Sequence, residues 1–174
     1  MESNAIKDDK SVLHLELGAG CGNFGKIYYH KCYLTDYDEA LTTICEKCYI
    51  DHFCDAHNLP WKNNRFDRVI MCNPYGYGFI PSEDRKSELL TELLRVLKNK
   101  DSEIIIIGHK SNKYCSHKNI QIAVDDFMNE NKQLFNLEVV CDSPDFSVKY
   151  GNYIFRTIKG AETKPSHEIK IYVR

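Results

Sequence analysis

Residues 12–25 read VLHLELGAGCGNFG, and this stretch decides the fold. Its first six residues are mostly large and apolar, which predicts a β-strand. The glycines that follow lack a Cβ atom, so the backbone can turn tightly there and pass close to a ligand. Within them, residues 20–25 also satisfy the dinucleotide fingerprint G-x-G-x-x-G, so the stretch alone leaves the nature of the ligand open.

Short apolar runs and longer periodic stretches alternate along the rest of the chain. The pattern predicts strands at 12–17, 31–35, 49–54, 66–72, 103–108, 137–141, 153–158 and 169–173, and helices at 39–47, 82–98 and 118–132. Such alternation is typical of βαβ units, and it predicts an α/β fold with a doubly wound, mostly parallel sheet of about seven strands and helices on both faces. The turn rich in Gly and Pro between the last two strands predicts an antiparallel hairpin at the edge of the sheet.

The composition indicates an ordinary globular domain. The chain has 174 residues, of which 43% are hydrophobic and 28% charged, and its formal net charge is −2. This length predicts one core, with a polar N-terminal arm at 1–10 and a single domain at 11–174. The absence of a membrane-length apolar run and of a secretory signal predicts a cytoplasmic protein without membrane association. The near-zero net charge gives no support to a strongly electrostatic nucleic-acid binder.

The eight cysteines require an explanation. An even number would indicate disulfides in a short secreted chain, but the lack of a signal favours reduced, mostly buried thiols. One group has the residue types of a zinc site: Cys45, Cys48, Cys54 and His57. Its two halves lie closer together than in the usual zinc sites, so no metal site is assigned. Cys21 and Cys72 lie beside the predicted ligand edge of the sheet, where they are candidates for reaction with thiol reagents.

The ends of the predicted strands bring five separate loops to one place. In a parallel sheet the carboxyl ends of the strands meet at one edge, and ligands bind in the crevice there. The loops begin at Gly18, Asp36, Asp55, Asn73 and His109. At the end of the second strand, a carboxylate can accept hydrogen bonds from the two vicinal hydroxyls of a ribose.

The order of these segments resembles the class I S-adenosylmethionine-dependent methyltransferases. The resemblance covers about residues 12–110 and consists of five pieces in register: E-x-G-x-G-x-G at 16–22, an acid at the end of the second strand, D-A-x-x-L-P at 55–60, F-D-x-V at 66–69 and N-P-Y at 73–75. A dinucleotide dehydrogenase is not expected to carry the third piece before the fourth.

The resemblance implies S-adenosylmethionine as the cofactor and assigns its contacts residue by residue. The residues that would border the methionine part are Glu16, Gly18, Gly20 and Gly22. Asp36 would bind the ribose hydroxyls. Asp55 would accept a hydrogen bond from the adenine amine, and the backbone N–H of Ala56 would face the ring. Cys72 and the residues up to Tyr75 would face the sulfonium.

Asn73, Pro74 and Tyr75 resemble the (Asp/Asn)-Pro-Pro-(Tyr/Phe) tetrapeptide of amino methyltransferases, with the second proline missing. In that motif a side-chain oxygen and a backbone carbonyl accept hydrogen bonds from a planar NH₂ group, and an aromatic ring stacks on the acceptor. These three residues are therefore the candidate catalytic residues. The aromatic ring comes either from Tyr75 or from Tyr77.

Two further segments are candidates for binding the methyl acceptor. Tyr77 and Phe79 alternate with glycines, which suits a mobile wall against a flat ring. His109, Lys110 and Lys113 lie in the loop after the fifth major strand, and they predict a cationic rim that favours an anionic acceptor. The expected reaction is methyl transfer to an amine nitrogen of a nucleobase, a nucleotide or RNA, free or presented by a protein partner. A small-molecule methyltransferase, a non-catalytic cofactor-binding module and a nicotinamide dehydrogenase remain as alternatives.

Overall fold

The computed structural model describes residues 8–80, 82, 84–98, 100–131, 134–156 and 162–174, without the side chain of Arg156. Its strands are β1 (His14–Leu17), β2 (Cys32–Asp36), β3 (His52–Phe53), β4 (Arg68–Cys72), β5 (Glu103–Gly108), β6 (Leu137–Asp142), β7 (Phe155–Arg156), β8 (Glu162–Thr163) and β9 (His167–Val173). Its α-helices are α1 (Phe24–Tyr28), α2 (Leu41–Ile44), α3 (Lys86–Val96), α4 (His117–Glu130) and α5 (Phe146–Tyr150). A 3₁₀ turn at Lys113–Cys115 precedes α4.

Seven of the strands form one sheet in the order β3-β2-β1-β4-β5-β9-β6. The strands from β3 through β5 are parallel to their neighbours, whereas β9 runs antiparallel to both β5 and β6. The predicted α/β fold with a mostly parallel sheet of about seven strands is therefore confirmed. Because the chain reverses its direction of winding after β3, the carboxyl ends of β1 and β4 border the crevice where ligands bind in such sheets.

The predicted antiparallel edge of the sheet is confirmed, since the edge strand β6 runs antiparallel to β9. The pairing of residues 153–158 with 169–173 in a hairpin is wrong for the described residues, which leave out 157–158. β9 instead lies within the sheet, where it is hydrogen-bonded to β5 on one side and to β6 on the other. β7 pairs with β8 in a separate two-stranded sheet. The physical reason is burial: Ile169 and Ile171 are both 0% exposed, and a strand with a partner on each side and packing above it provides that environment.

The predicted helix at 39–47 is also mostly wrong. α2 is a single turn in which Leu41 alone is buried, and Ile44 is 63% exposed. So short a helix gains little from its own backbone hydrogen bonds, and here it lacks an apolar face to anchor it. The strand predicted at 49–54 is likewise reduced to the two residues of β3.

Apolar residues cover the sheet on both faces, as a doubly wound fold requires. On one face α3 and α4 place Leu93 and Phe127 in the larger core, together with Val69 and Ile104 of the central strands. On the other face α1 and α5 contribute aromatic rings to a second core around Ile105 and Ile107. The central strands β4 and β5 therefore have apolar residues on both sides, which explains their nearly continuous apolar sequence.

The described part of the N-terminal arm is tied to the domain by Arg65. The buried guanidinium donates to Asp8 Oδ1 at 2.8 Å, to the Asp9 carbonyl at 2.6 Å and to the Val12 carbonyl at 2.7 Å. The backbone N–H of Asp9 also donates to the Tyr33 hydroxyl at 2.7 Å. Residues 8–12 are thus fixed just ahead of β1, and residues 1–7 of the predicted arm lie outside the described residues.

The cysteines differ from the prediction of reduced, mostly buried thiols. Cys21 forms a disulfide with Cys45, so the glycine-rich loop after β1 is linked covalently to the end of α2. Among the free cysteines, Cys32 and Cys115 are buried and Cys141 is exposed. The disulfide removes Cys45 from the candidate zinc ligands and Cys21 from the reactive thiols. The described residues contain no group of three metal-type side chains placed to hold an ion.

No helix in the described ranges combines the length and the apolar character that crossing a membrane would need.

The disulfide predicts a definite thiol count. The denatured, unreduced protein should react with iodoacetamide at six cysteines, and after dithiothreitol it should react at eight, as measured by intact mass. In a digest without reductant, the peptides that contain Cys21 and Cys45 should be joined. Eight modified cysteines without reductant would contradict the disulfide.

Candidate active site

The glycine-rich loop of residues 18–23 leaves β1 at the carboxyl edge of the sheet. Ala19 N–H donates to the Thr35 carbonyl at 3.0 Å, and Gly20 N–H donates to Asp36 Oδ2 at 2.9 Å. The backbone φ is +60° at Gly18 and +57° at Gly20, a conformation that favours glycine. Among the described residues, and apart from Gly20 and its two neighbours in the chain, no atom lies within 4 Å of the place that a Cβ on Gly20 would take, so this side of the loop is open to a ligand.

Asp36 ends β2 beside this loop, as the sequence predicts. Its Oδ2 accepts the bond from Gly20, and its Oδ1 accepts one from the N–H of Asp38 at 3.0 Å. Each carboxylate oxygen can accept two hydrogen bonds, so one position remains on each. Two adjacent acceptor positions match the vicinal hydroxyls of a ribose.

Asp55 lies in the loop after β3, and its carboxylate is held by His57. Oδ1 accepts from the backbone N–H of His57 at 2.9 Å and contacts His57 Nδ1 at 2.8 Å, while Oδ2 lies 3.5 Å from Arg85. Burial favours a higher pKa for this carboxyl, but the bonds from His57 and the charge of Arg85 outweigh it and hold the pKa below its usual value. Asp55 is therefore a charged acceptor, and the contact of its Oδ2 is the Arg85 guanidinium at 3.5 Å. Ala56 beside it is half-buried against the core.

Glu16 of β1 bonds to the first turn of α1, directly after the glycine-rich loop. The residue is 1% exposed, and its carboxylate accepts a hydrogen bond from Gly25 N–H at 2.6 Å. Burial raises the pKa of this carboxyl to about 7, although the bond from Gly25 acts against the rise. A Cβ on Gly25 would lie 2.6 Å from Cys32 Sγ and 2.7 Å from Glu16 Oε2, so this position has no space for a side chain.

Two tyrosines cover the glycine-rich loop. The Tyr77 hydroxyl donates to the Leu17 carbonyl at 2.8 Å, and the same ring closes over the Cα of Gly18. The Tyr153 hydroxyl lies 3.0 Å from the place that a Cβ on Gly22 would take. Burial, with the nearby carboxylates of Asp36 and Glu16, raises the pKa of Tyr77 well above its usual value, so the hydroxyl stays neutral.

Phe79 does not fit the substrate-binding wall predicted from the sequence. Its ring is 0% exposed and belongs to the larger core, so no surface of it faces a ligand. Tyr77 remains at the site, but it is packed against the glycine-rich loop.

The turns that follow β4 and β5 are joined by one side-chain amide. Asn73 has a φ of +50°, and its N–H donates to the Ile107 carbonyl at 2.6 Å. Asn112 Nδ2 lies 2.9 Å from Asn73 Oδ1 and 2.9 Å from the Pro74 carbonyl oxygen. Asn112 Oδ1 in turn accepts from Tyr114 N–H at 3.0 Å. The two oxygens on Asn73 and Pro74 thus hold the two hydrogens of one planar NH₂ group.

An exposed ring stands beside this pair of oxygens. Tyr75 is 77% exposed and meets Tyr114 edge-on, with 6.1 Å between the ring centroids. Cys72 at the end of β4 is a neutral thiol, because burial raises its pKa well above the usual value. The site therefore offers acceptors and an aromatic face, without a thiolate nucleophile.

The predicted cationic rim lies on the turn that carries Asn112. Lys110 and Lys113 are exposed, and Lys113 Nζ lies 5.0 Å from the centroid of the Tyr114 ring. His109 is half-buried and bonds through Nδ1 to the Ser111 hydroxyl at 2.7 Å. Both lysines are thus free to meet an anionic group in solvent near the Asn73 turn.

Two residues at the site were not identified from the sequence. An asparagine just before a short helical turn is a recognisable cap, so the sequence signals the bond from Asn112 to Tyr114 but not its contact with Asn73. Tyr153 follows α5, far along the chain from the glycine-rich loop, and no local pattern indicates that they meet.

Comparison with known proteins identifies the family of the chain. The chain matches the methyltransferase domain family over residues 15–104, just over half of its length, and it belongs to that family. A comparison with curated proteins found no match.

Solved structures share the fold at low sequence identity. A SAM-dependent methyltransferase from Thermotoga maritima is 18% identical with a TM-score of 0.52, over 92% of this chain and 81% of the other. Another from Archaeoglobus fulgidus is 16% identical with a TM-score of 0.53, over 92% and 85%. A third from Methanosarcina mazei is 12% identical with a TM-score of 0.51, over 95% and 93%. S-adenosylmethionine is the cofactor that the family and these neighbours imply, as the sequence predicts.

The raised pKa of Glu16 predicts a pH dependence of stability. Between pH 4.5 and about 7 the folded protein keeps the proton that the unfolded chain releases, so stability falls as pH rises. The whole shift corresponds to about 3 kcal/mol. Glu16→Gln stays neutral at every pH and still offers an oxygen to Gly25 N–H. The free energy of unfolding of the variant minus that of the wild type should therefore increase by about the same amount between pH 4.5 and pH 8, measured by urea denaturation. Glu138→Gln, at an exposed carboxylate of β6, is the control, and its stability should depend on pH as that of the wild type does. If the stability of Glu16→Gln also had the pH dependence of the wild type, the raised pKa of Glu16 would be refuted.

Proposed function

We propose that the protein transfers a methyl group from S-adenosylmethionine to the planar amine nitrogen of a nucleobase, in a nucleotide or in RNA. One observation carries the proposal: Asn73 Oδ1 and the Pro74 carbonyl oxygen together bind both hydrogens of a planar NH₂ group, each at 2.9 Å. An exocyclic amine of a base presents the same two hydrogens in the same plane.

The described residues fit the cofactor. The open side of Gly20, the remaining acceptor positions on Asp36 and the charged carboxylate of Asp55 lie on successive loops at one edge of the sheet. We assign the ribose hydroxyls to Asp36, the adenine amine to Asp55 and the ring to the backbone of Ala56. Gly18, Gly20 and Gly22 would border the methionine part, with Glu16 holding their loop in place. When bound, S-adenosylmethionine supplies a methyl group on a positively charged sulfur, which becomes a neutral thioether as the acceptor nitrogen takes the methyl group.

The residues of the Asn73 turn would orient the acceptor. When both hydrogens of the amine point at Asn73 Oδ1 and the Pro74 carbonyl oxygen, the nitrogen lone pair stands perpendicular to the plane of the base, towards the cofactor. The two oxygens also draw the hydrogens away from the nitrogen, which increases its nucleophilicity. No general base is needed before the attack, because the proton leaves after the N–C bond has formed. The exposed ring of Tyr75 is available to stack on the base.

The charges near this turn favour an anionic acceptor. Lys110 and Lys113 are exposed on the loop that contacts the Asn73 turn, and a phosphate attached to the base would lie within their reach. A chain with a formal net charge of −2 gains no general affinity for nucleic acid, so this local pair would provide it. The proposal includes a protein partner that presents the substrate as one source of the acceptor.

The Asn73 side chain should be essential for turnover. Asn73→Gly keeps the positive φ and removes the amide, so tritium transfer from labelled S-adenosylmethionine should fall by about 100-fold. Binding of S-adenosylhomocysteine, measured by calorimetry, should not change. The acceptors to be tested are RNA, nucleotides, DNA, protein and small-molecule fractions, and the methylated atom is identified by mass spectrometry.

Asn64→Gly is the matched control, since Asn64 is exposed and has a similar φ of +57° before β4. It should keep full activity. Full activity of Asn73→Gly would remove Asn73 from the mechanism. Cofactor binding without transfer to any fraction would favour a non-catalytic module, and transfer to oxygen or sulfur would refute an amine acceptor.

The cationic rim predicts a change in KM alone. Lys110→Glu combined with Lys113→Glu should raise the acceptor KM by about 10-fold or more at low salt, because two attractions to phosphate become repulsions. The affinity for S-adenosylhomocysteine should stay the same. A control with the same charge change, Lys62→Glu combined with Lys100→Glu, alters exposed lysines outside the site. An unchanged acceptor KM in the first variant would argue against an anionic acceptor.

A further inference from the structure

The acceptor position described above already holds an amine of the chain itself. Asn112 Nδ2 donates one hydrogen to Asn73 Oδ1 and the other to the Pro74 carbonyl oxygen, and each donor–acceptor distance is 2.9 Å. A carboxamide NH₂ is planar and carries two in-plane hydrogens, as does the exocyclic amine of a base. Asn112 is therefore a chemical likeness of the proposed acceptor, placed on the same two oxygens.

The orientation of this amide is fixed by its other end. Asn112 Oδ1 accepts a hydrogen bond from Tyr114 N–H at 3.0 Å, at the start of the 3₁₀ turn Lys113–Cys115. If the amide were inverted, its NH₂ would face the Tyr114 N–H donor and its oxygen would face the two acceptor oxygens of Asn73 and Pro74. The orientation with Nδ2 on Asn73 and Pro74 is therefore strongly favoured. All three hydrogen bonds depend on this one side-chain orientation.

An acceptor amine and the Asn112 amide exclude one another. Hydrogen bonds to a carbonyl group are best in its plane and close to 2.9 Å, and a single NH₂ that bridges Asn73 Oδ1 and the Pro74 oxygen fills that place. Each of the two oxygens keeps a second lone pair, but a group bound there would not bridge the two oxygens as one NH₂ does. Binding of an acceptor therefore requires the Asn112 side chain to move away.

We propose that Asn112 is a specificity-determining residue, which fills the acceptor position until a planar amine with further contacts displaces it. This inference rests on the proposed function, because it identifies the pair Asn73 and Pro74 as the acceptor site. Displacement gives up the two bonds to that pair and the bond to Tyr114 N–H. An amine that only replaces the two bonds to Asn73 and Pro74 does not compensate for the lost bond to Tyr114 N–H. A base that also stacks on Tyr75 and contacts the lysines of the rim does compensate for it. The residue thus selects against small amines and water.

Asn112→Ser tests the proposal by kinetics. Serine is also a good cap, so it can still accept the bond from Tyr114 N–H, but it is too short to donate to Asn73. With the two competing bonds removed, the acceptor KM should fall by about 10-fold, while kcat changes by less than about 3-fold. The control is Asn119→Ser, since Asn119 donates to the Lys113 carbonyl on the same segment and does not contact Asn73. An unchanged KM, or a fall in kcat like that of Asn73→Gly, would overturn the proposal, because Asn112 would then only position Asn73.

Displacement can also be observed without turnover. In ¹⁵N-labelled protein with S-adenosylhomocysteine, the side-chain NH₂ signal of Asn112 is assigned by its absence in Asn112→Ser. AMP, CMP and GMP are then added as planar amine probes, and ethanolamine phosphate as an anionic alkyl amine. At least one nucleotide should shift this signal strongly, and ethanolamine phosphate should not.

The two experiments distinguish a failure of the displacement proposal from a failure of the proposed function. A signal that no nucleotide moves, in a protein that does methylate an amine of one of these nucleotides, would overturn the displacement and leave the proposed function intact. A protein that methylates no nitrogen in any fraction would refute the proposed function. In that case, displacement of Asn112 by a nucleotide would still support a planar-amine binding site, and its absence would overturn that site too.

Discussion

A buried hydrogen bond under the glycine-rich loop sets the position of the site. Gly25 N–H donates to the Glu16 carboxylate at 2.6 Å, at the first turn of α1, where no side-chain cap satisfies the backbone. The first amides of a helix need such acceptors, so the bond determines where α1 begins. The residues between β1 and α1 must then turn through the positive φ angles of Gly18 and Gly20, which brings Gly20 N–H to Asp36. The position of the predicted ribose acceptor thus depends on a carboxylate one strand away.

The acceptor side of the crevice depends on contacts between two turns. Asn73 has a left-handed conformation, its N–H is bonded to the Ile107 carbonyl of β5, and Tyr75 and Tyr114 meet edge-on on the same two turns. The segment lacks the second proline of the tetrapeptide that it resembles, and the turn has this other constraint instead. The backbone bond from Asn73 N–H to β5 constrains the turn, where a second proline would have constrained it through its own ring.

The sequence predicts the features that follow from the order of the strands. It does not predict the contacts between segments that are far apart in the chain. The apolar run Glu103–Gly108 predicts a central strand, and the acids at 36 and 55 fall at strand ends because the topology puts them there. The helix around Leu41 is shorter than its periodicity predicts, because Leu41 is buried but Ile44 on the same face is exposed. The position of β9 was missed because an alternating strand looks the same at an edge and between two partners. The contacts of Asn112 and Tyr153 with the site join residues far apart in sequence, and no local pattern records them.

The position of β9 between β5 and β6 has a consequence for the order of folding. β6 is synthesised before β9, but it has no partner in the main sheet other than β9 within the described residues. The half of the sheet from β3 to β5 can form from contacts already made, whereas β6 has to wait until the ribosome has released the later strand. Pairing at long sequence separation is slow, so this side of the molecule is expected to be the last to close. The half of the sheet that carries Asp36 and Asn73 would then form before β9 and β6 complete the other edge.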